Sequence, residues 1–189
     1  MNATHARNVL VAPASWAGRI ALVVLGSLLL WASAKVQVPF WPVPMTMQTM
    51  VVLLLPAVMG RYGLAAVLLY VAEGAMGLPV FAGTPERGIG LAYLMGPTGG
   101  YIAGFVLAAA LVAWAAEKGW LKRWPATLAV MLAGMALVYL PGVAWLAGFI
   151  GWSKAWAAGA VPFLLGDGLK LLLATALLAG ARQVVRRRA

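Results

Sequence analysis

The sequence predicts an all-α membrane protein of six transmembrane helices with both termini in the cytoplasm. Hydrophobic residues make up 64% of the 189-residue chain, charged residues only 10%, and the mean hydropathy is +0.94. A soluble domain carries about 25% charged residues, so this chain has too little polar surface to cover a water-soluble globule. The apolar residues also fall in separate runs, each near the length of about 20 helical residues that crosses a bilayer core.

These apolar runs follow one another along the chain and set the expected domain organisation. They lie near residues 18–37, 46–60, 62–80, 97–116, 126–149 and 161–181. The link between the second and third runs is so short that it predicts a tight helical hairpin with Arg61 at its tip. We therefore expect a cytoplasmic N-terminal tail over 1–17, a single six-helix transmembrane domain over 18–181 and a basic cytoplasmic C-terminal tail over 182–189.

The basic residues predict which side of the membrane holds the termini. Ten of them lie on the terminal side, namely Arg7, Arg19, Arg61, Lys118, Lys122, Arg123, Arg182, Arg186, Arg187 and Arg188. Four lie on or near the other side, namely Lys35, Arg87, Lys154 and Lys170. This bias follows the positive-inside rule, so both termini are expected on the cytoplasmic side of a membrane that the chain crosses several times.

The connections on the outer side have an unusual composition for loops that merely pass through water. Residues 38–44, 78–94 and 152–163 are apolar, aromatic and glycine-rich, and each has a proline close to a phenylalanine. Apolar non-helical backbone near a membrane persists only where protein buries it or where it lines a cavity. We infer that these loops fold over a ligand pocket that faces the extracellular or periplasmic side. The alternative is that the loops simply pack on one another.

Asp167 and Lys170 are the strongest candidates for a binding site because they lie early in the last predicted span. A spacing of i, i+3 puts both side chains on one helix face. A charged residue inside a span costs about 2.5–3.5 kcal/mol on insertion scales and is therefore a candidate for function by default. Gly166 and Gly168 flank the carboxylate and would let a ligand approach closely. A structural ion pair that joins two helices is the alternative.

A second group of candidates opens the second predicted span. Pro42 and Pro44 fix an extended approach, and we expect Thr46 to cap the helix that follows. Gln48, close to the start of that helix, offers both a hydrogen-bond donor and an acceptor. Its alternative role is a hydrogen bond to a neighbouring helix.

A third group opens the fourth predicted span, where residues 96–101 read GPTGGY. We expect Thr98 to cap this helix and to leave N–H groups able to bind a carbonyl or carboxylate. Gly104 continues a stripe of small residues that is typical of close helix packing, and packing is its expected role. Gly99 and Tyr101 are candidates for contact with a ligand.

The residue types that most active sites require are scarce in this chain. There is no cysteine, and the one histidine, His5, lies in the N-terminal tail, which argues against metal sites and histidine-dependent triads. The sequence contains neither a phosphate-binding loop for ATP hydrolysis nor a nucleophile–base set. The net charge of +10 is spread between apolar runs without a nucleic-acid motif. We therefore expect no enzymatic activity, metal, cofactor or nucleic-acid partner.

Four motifs in order along the chain resemble those of one transporter family. They are VPMTMQT at 43–49, GLPVFAG at 77–83, GPTGGY at 96–101 and the late pair Asp167 and Lys170. In combination they resemble the BioY family, the biotin-binding S component of energy-coupling-factor (ECF) vitamin transporters. The similarity runs from about Ala34 to Gly104 and resumes around Asp167.

The resemblance implies an S-component fold and high-affinity biotin uptake, with the pocket covered by the first outer loop and the loop that contains Arg87. It implies a transmembrane coupling protein and two ATP-binding-cassette ATPases as partners. The bundle would contact membrane lipid, and whether it forms a homo-oligomer when alone stays open. The implied substrate-binding residues are Asp167, Lys170, Gln48, Thr46, Phe40, Phe81, Thr98, Gly99, Tyr101 and Arg87.

The chemistry of biotin suits this set of residues. Its ureido group has two N–H donors and a carbonyl, which suit Asp167 with Lys170 or Gln48. Its thiophane ring and valeryl chain suit the aromatic residues, which include Trp41. Three candidates for its carboxylate remain open, namely Arg87, Lys35 and the backbone amides of Gly99 and Gly100.

Two other functions remain open on the residues alone. The first is an autonomous, ion-coupled secondary transporter of a small carboxylate-bearing molecule, with Glu73 or Asp167 as proton carrier. The second is a helper or scaffold subunit that binds no small molecule. Calorimetry with biotin separates this last case from the transporters.

Overall fold

The computed structural model describes residues 9–11 and 15–188, and most of them are helical. The elements in chain order are α1 (Trp16–Lys35), β1 (Gln37–Val38), β2 (Met45–Thr46), α2 (Gln48–Met59), α3 (Arg61–Ala75), α4 (Leu91–Leu94), α5 (Gly99–Glu117), a 3-10 turn (Trp120–Lys122), α6 (Trp124–Ile150), α7 (Trp152–Gly159) and α8 (Val161–Arg188). The two short strands pair antiparallel, with Val38 opposite Met45. The predicted all-α class is confirmed, since the strands form only a small hairpin.

A helix lies in each of the six predicted runs, but the helices differ in length. Within the described residues, four helical segments are long and apolar enough to cross a membrane: α1, α5, α6 and the stretch Trp152–Val184, which includes α7 and most of α8. By contrast, α2 has 12 residues and α3 has 15, fewer than the roughly 20 of a full span. The count of six spans, their orientation and the three-part division of the chain therefore remain predictions.

The first and last helices extend beyond residues 18 and 181, the predicted limits of the transmembrane domain. Helix α1 begins at Trp16, where the Ser15 hydroxyl caps it by accepting the Gly18 N–H at 3.0 Å. Helix α8 continues to Arg188, so the segment predicted as a basic tail from 182 extends the last helix. Residues 1–8, including His5 and Arg7, lie outside the described part of the chain.

The hairpin between α2 and α3 has the arginine tip that the sequence predicts. Gly60 makes the turn at φ +58°, a conformation that favours glycine, and its N–H donates to the Pro56 carbonyl at 2.8 Å. The Arg61 guanidinium then binds both oxygens of Glu117, at 2.8 and 3.0 Å. Because Glu117 is the last residue of α5, this ion pair fixes the hairpin tip to the end of that helix.

Helix α5 is the best buried of the long helices and packs extensively against α6. The contact is close at Gly104, where a Cβ atom would lie 2.7 Å from the Leu137 carbonyl oxygen. At Gly100, one turn earlier, an added Cβ atom would lie 2.3 Å from the Cβ atom of Trp145 in α6. The expected packing role of Gly104 is therefore confirmed, and it sets α5 and α6 close together along one wall of the cavity described below.

Glu73 is paired inside the helical domain. Its Oε2 accepts the hydroxyl of Ser27, a fully buried residue of α1. The bond joins α1 to the C-terminal half of α3, where Glu73 lies two residues before the helix ends. A role in holding these two helices together accounts for the carboxylate.

Candidate functional site

A cavity lies where α2, α5, α6 and α8 converge beneath the strand hairpin, with about 500 Å³ of empty volume when the open space at its mouth is included. It is lined by Val43, Pro44, Met45, Thr46, Gln48, Thr49, Ala82, Tyr93, Thr98, Tyr101, Ile102, Phe105, Val138, Tyr139, Phe163 and Asp167. The lining is mostly apolar, with one carboxylate and a few hydroxyl and amide groups that could orient a ligand.

Asp167 is the most strongly bonded group of the cavity wall. The residue is 4% exposed, and its Oδ1 accepts hydrogen bonds from Lys170 Nζ at 2.7 Å and Thr49 Oγ1 at 2.8 Å. Its Oδ2 accepts the Tyr139 hydroxyl at 2.5 Å. An ionised carboxylate has about four lone-pair sites, so three protein donors leave Oδ2 able to accept one more hydrogen bond.

Lys170 lies behind Asp167 and does not line the cavity. Its ammonium donates to Asp167 and also to the Thr46 carbonyl at 2.7 Å, which joins α8 to β2. The predicted i, i+3 pair is therefore formed, and the alternative of a structural link between elements is part of its role. A buried charge left without its partner costs about 3–5 kcal/mol, so each member of this pair depends on the other.

Thr46 and Gln48 both line the cavity, but the predicted cap is shifted by one residue. Thr46 lies in β2 and Met47 occupies the N-cap position of α2, without a side-chain cap bond. The Thr46 hydroxyl instead accepts the N–H of Gln48 at 3.2 Å. The Gln48 amide donates to Tyr70 Oη at 2.7 Å, so the alternative of a bond to a neighbouring helix is realised. The Gln48 carbonyl oxygen lies 3.5 Å from the Thr46 hydroxyl and keeps a lone pair for a ligand.

The start of α5 differs from the prediction in two respects. Thr98 lies at the N-cap position and lines the cavity, but its side chain makes no cap bond. Gly99 is not among the lining residues, and its N–H donates to the Gly96 carbonyl at 3.1 Å. A Cβ at Gly99 would lie 1.8 Å from the Leu94 carbonyl oxygen, so the glycine serves a close backbone approach. Tyr101 does line the cavity, and its hydroxyl donates to the Gly159 carbonyl at 2.7 Å.

Phe40 and Phe81 each contact a residue of the cavity lining, whereas Arg87 contacts the loop between the strands. Phe40 packs edge-on against Phe163, with ring centroids 5.7 Å apart. Phe81 is fully buried and stacks on Tyr93 at 4.7 Å. Arg87 binds backbone carbonyls of the loop between the strands. The structure therefore does not bring these three predicted residues into the cavity lining, although it places the first two directly behind lining residues.

Lys35, a candidate partner for a ligand carboxylate, and Trp41, a candidate for the aromatic wall, also lie outside the cavity lining. Lys35 Nζ donates to the carbonyls of Pro79 and Phe81 at 2.9 and 3.1 Å. Trp41 is 78% exposed. In the part of the chain that the structure describes, no lysine or arginine lines the cavity.

Several lining residues were not predicted, and Tyr139 is the most important of them. A single tyrosine within the apolar run 126–149 is a buried phenol that needs a hydrogen-bond partner, and that signal could have identified it. Thr49 lies in the quoted motif beside Gln48 but was not assigned a role. Tyr93 donates to the Ala82 carbonyl at 2.9 Å, and burial raises the pKa of its phenol, so it remains a neutral donor.

A family model described as the BioY family matches residues 4–187. This chain belongs to the BioY family. It is 44% identical over 124 residues to "Biotin transporter BioY" of Thermotoga maritima, which covers 65% of this chain and 66% of that protein. It is 36% identical over 135 residues to "Probable biotin transporter BioY" of Pyrococcus horikoshii, which covers 71% of this chain and 77% of that protein.

A solved structure shares the fold of this BioY-family chain. It is described as the crystal structure at 2.1 Å of the S-component for biotin from an ECF-type ABC transporter. The two superpose with a TM-score of 0.77, covering 88% of this chain and 92% of that one, at 22% sequence identity. The predicted S-component fold and the resemblance to the BioY family are both confirmed.

Proposed function

We propose that this chain binds biotin and carries it across the membrane as the S component of an ECF-type transporter. The observation that carries the proposal is a largely apolar cavity whose wall contains the buried Asp167, in a chain of the BioY family. The relatives of this family bear the name biotin transporter. A substrate-binding subunit requires no catalytic residues of its own.

The polar end of the cavity has the donors and acceptors that a ureido group requires. A ureido group offers two N–H donors and one carbonyl acceptor. The unused lone pair of Asp167 Oδ2 can accept one N–H, and the Gln48 side-chain carbonyl can accept another. The Lys170 ammonium, which does not line the cavity, donates to Asp167 and to the Thr46 carbonyl and so holds the carboxylate in position for the ureido group.

The remaining wall suits the thiophane ring and the valeryl chain. Ile102, Phe105 and Val138 present apolar surface from α5 and α6, and burial of such surface contributes about 25 cal/mol per Å². Thr46, Thr98 and Tyr101 border this surface with polar atoms. Phe40 and Phe81 support the lining from behind, and Gly99 allows the close approach that positions Thr98.

The finer parts of the proposal concern partners and location. A multi-pass membrane protein of this family would reside in the bacterial cytoplasmic membrane, with its termini inside and the cavity opening outward. A transmembrane coupling protein and two ATP-binding-cassette ATPases would supply the energy. Both finer points are supported by the bias of basic residues and by the S-component fold.

Titration calorimetry of the purified protein with biotin tests the proposal. We expect saturable binding of biotin, competition by desthiobiotin, which keeps the ureido group and the carboxylate, and no competition by thiamine. Absence of a biotin signal in folded protein would contradict the proposal. Uptake into vesicles that lack an ATPase, abolished when the proton gradient is collapsed, would instead indicate an ion-coupled transporter.

A further inference from the structure

Two loops cover the cavity, and they are held in different ways. The cover loop (residues 39–44) connects the two strands, and the anchor loop (residues 76–90) connects α3 to α4. Val43 and Pro44 of the cover loop and Ala82 of the anchor loop line the cavity. Any ligand that enters between them has to displace one of the two.

The anchor loop is fixed to the helical domain by side chains of three helices. The bonds run from Lys35 Nζ to the carbonyls of Pro79 (2.9 Å) and Phe81 (3.1 Å), from Tyr70 Oη to Val80 (3.1 Å) and from Tyr93 Oη to Ala82 (2.9 Å). Phe81 is also fully buried between the rings of Tyr70 and Tyr93. The anchor loop is therefore firmly fixed to the helices.

The cover loop has few bonds of its own. Within the described part of the chain, one backbone hydrogen bond lies in it, from the Phe40 N–H to the Val38 carbonyl at 3.0 Å. Its other recorded hydrogen bonds come from Arg87, which donates through Nη1 to the Pro42 carbonyl at 2.7 Å and through Nη2 to the Phe40 carbonyl at 3.0 Å. A planar guanidinium can hold two acceptors at once in this way.

Arg87 itself stands on the anchor loop. Its N–H donates to the Gly83 carbonyl at 2.9 Å, and its stem lies against Gly83, where a Cβ would be 2.7 Å from Arg87 Cδ. The guanidinium therefore connects the loop that has few hydrogen bonds to the loop that has many. It is directed at the backbone of the cover loop and is not part of the cavity lining.

We propose that Arg87 tethers the cover loop in its closed position and thereby sets the rate at which bound ligand leaves. This inference rests on the proposed biotin-binding function and assigns Arg87 a positioning role in place of contact with the ligand carboxylate. Opening the cover loop breaks both carbonyl bonds, so the tether contributes to the barrier for release. Entry into an already open site does not require breaking them.

The test compares Arg87→Ala with the wild type in biotin dissociation, measured by chase with excess unlabelled biotin. We expect dissociation to be about tenfold faster, the scale of one charge-assisted hydrogen bond at a partly exposed site, with a smaller change in the association rate. Arg87→Lys keeps the charge but loses the planar guanidinium that binds two acceptors at once. We expect its dissociation rate to lie between those of the wild type and Arg87→Ala. Unchanged dissociation in Arg87→Ala would overturn the proposal.

A second ligand separates the tether from direct contact with the carboxylate. Biotinamide lacks the negative charge but keeps the ring system and the chain. A tether predicts the same acceleration of release for biotin and for biotinamide. An acceleration confined to biotin would mean that Arg87 binds the carboxylate, and the proposal would be wrong.

Two controls keep the result interpretable. Lys154→Ala removes an exposed cation of α7, and we expect it to leave the dissociation rate unchanged. Hydrogen–deuterium exchange on the ligand-free protein tests the tether without any ligand: Arg87→Ala should raise exchange in residues 39–47 and leave α5 unaffected. If biotin does not bind the wild type, the proposed function fails, while equal exchange in the two proteins would independently reject the tether.

Discussion

The cavity is bounded by two regions that are built on different kinds of bond. On the helical wall, side chains from α2, α6 and α8 meet at one carboxylate, which is only 4% exposed. On the cover loop, the recorded side-chain bonds run from Arg87 to backbone carbonyls near the surface. Buried, charge-assisted bonds between side chains define which ligand atoms fit, whereas bonds to loop carbonyls define when the loop can move.

This difference predicts a division of roles between the two regions. Changes on the helical wall should alter equilibrium affinity for biotin, because they alter the groups that meet the ureido ring. Changes on the cover loop should alter rates more than affinity. If substitutions on one region produced the effect expected of the other, the two regions would act as one unit.

The largest expected effect is at the ion pair. We expect Asp167→Asn and Lys170→Ala each to weaken biotin binding at least tenfold, or ~1.4 kcal/mol, measured by titration calorimetry. Asn keeps the shape of Asp167 but loses the charge that accepts a ureido N–H. Unchanged affinity in correctly folded protein would remove the pair from the site.

A double variant separates binding from stability at the same pair. Asp167→Asn alone leaves the Lys170 ammonium without its carboxylate, at a cost of about 3–5 kcal/mol for a buried charge. Asp167→Asn with Lys170→Met removes both charges, so we expect the melting temperature to recover while biotin affinity does not. Recovery of affinity as well would indicate that the single variants acted only through stability.

A smaller effect is expected at Tyr139. Its hydroxyl donates to Asp167 Oδ2 at 2.5 Å and it lines the cavity. Tyr139→Phe removes one donor from the carboxylate, so we expect biotin affinity to fall about fivefold, or ~1 kcal/mol, by titration calorimetry. The fall should be absent in the Asp167→Asn background, since the acceptor has already changed, and additive losses would argue for a separate role.

A substitution at Thr49 should have a weaker effect on biotin affinity, and Thr175 provides a matched control. Its hydroxyl donates to Asp167 Oδ1 at 2.8 Å, so Thr49→Val should weaken biotin binding about threefold, which is less than 1 kcal/mol. Thr175→Val is the control, because the Thr175 hydroxyl donates to the Leu171 carbonyl within α8. Equal losses of affinity in the two variants would mean that the effect comes from the helices in general.

The fold and the polar centre of the site were predictable because membrane physics restricts both. An ionisable pair within an apolar run costs so much free energy of membrane insertion that it can be recognised in the sequence as a candidate for function. Asp167 and Lys170 lie on one helix face as expected. Glycine stripes likewise predicted close packing, and Gly104 meets α6 as expected. Chain length and hydropathy were less decisive for α2, whose 12 residues fall below the usual length of a span.

The predicted site residues that lie outside the cavity lining share a physical reason for their position. Arg87 and Lys35 looked like carboxylate partners because cations in a binding loop suit an anion, but loop carbonyls compete for the same donors. Gly99 looked like a free amide at a helix start, yet a turn carbonyl satisfies it. Such local competition depends on the path of the loop, which composition does not specify. Tyr139 was missed because its partner, Asp167, is distant in sequence.

The smallest expected effect is at Arg61, at the end of the molecule opposite the cavity, and it tests how far the helical wall extends. Arg61→Ala removes the bidentate bond to Glu117, but the arginine side chain is 52% exposed, so the loss of stability should stay below about 1 kcal/mol. Biotin affinity and dissociation should both match the wild type, as in the control Lys118→Ala, which removes an exposed cation one residue after Glu117. A tenfold loss of affinity in Arg61→Ala alone would show that the tip of the α2–α3 hairpin is coupled to the cavity through α2, and the helical wall would then extend beyond the residues that surround Asp167.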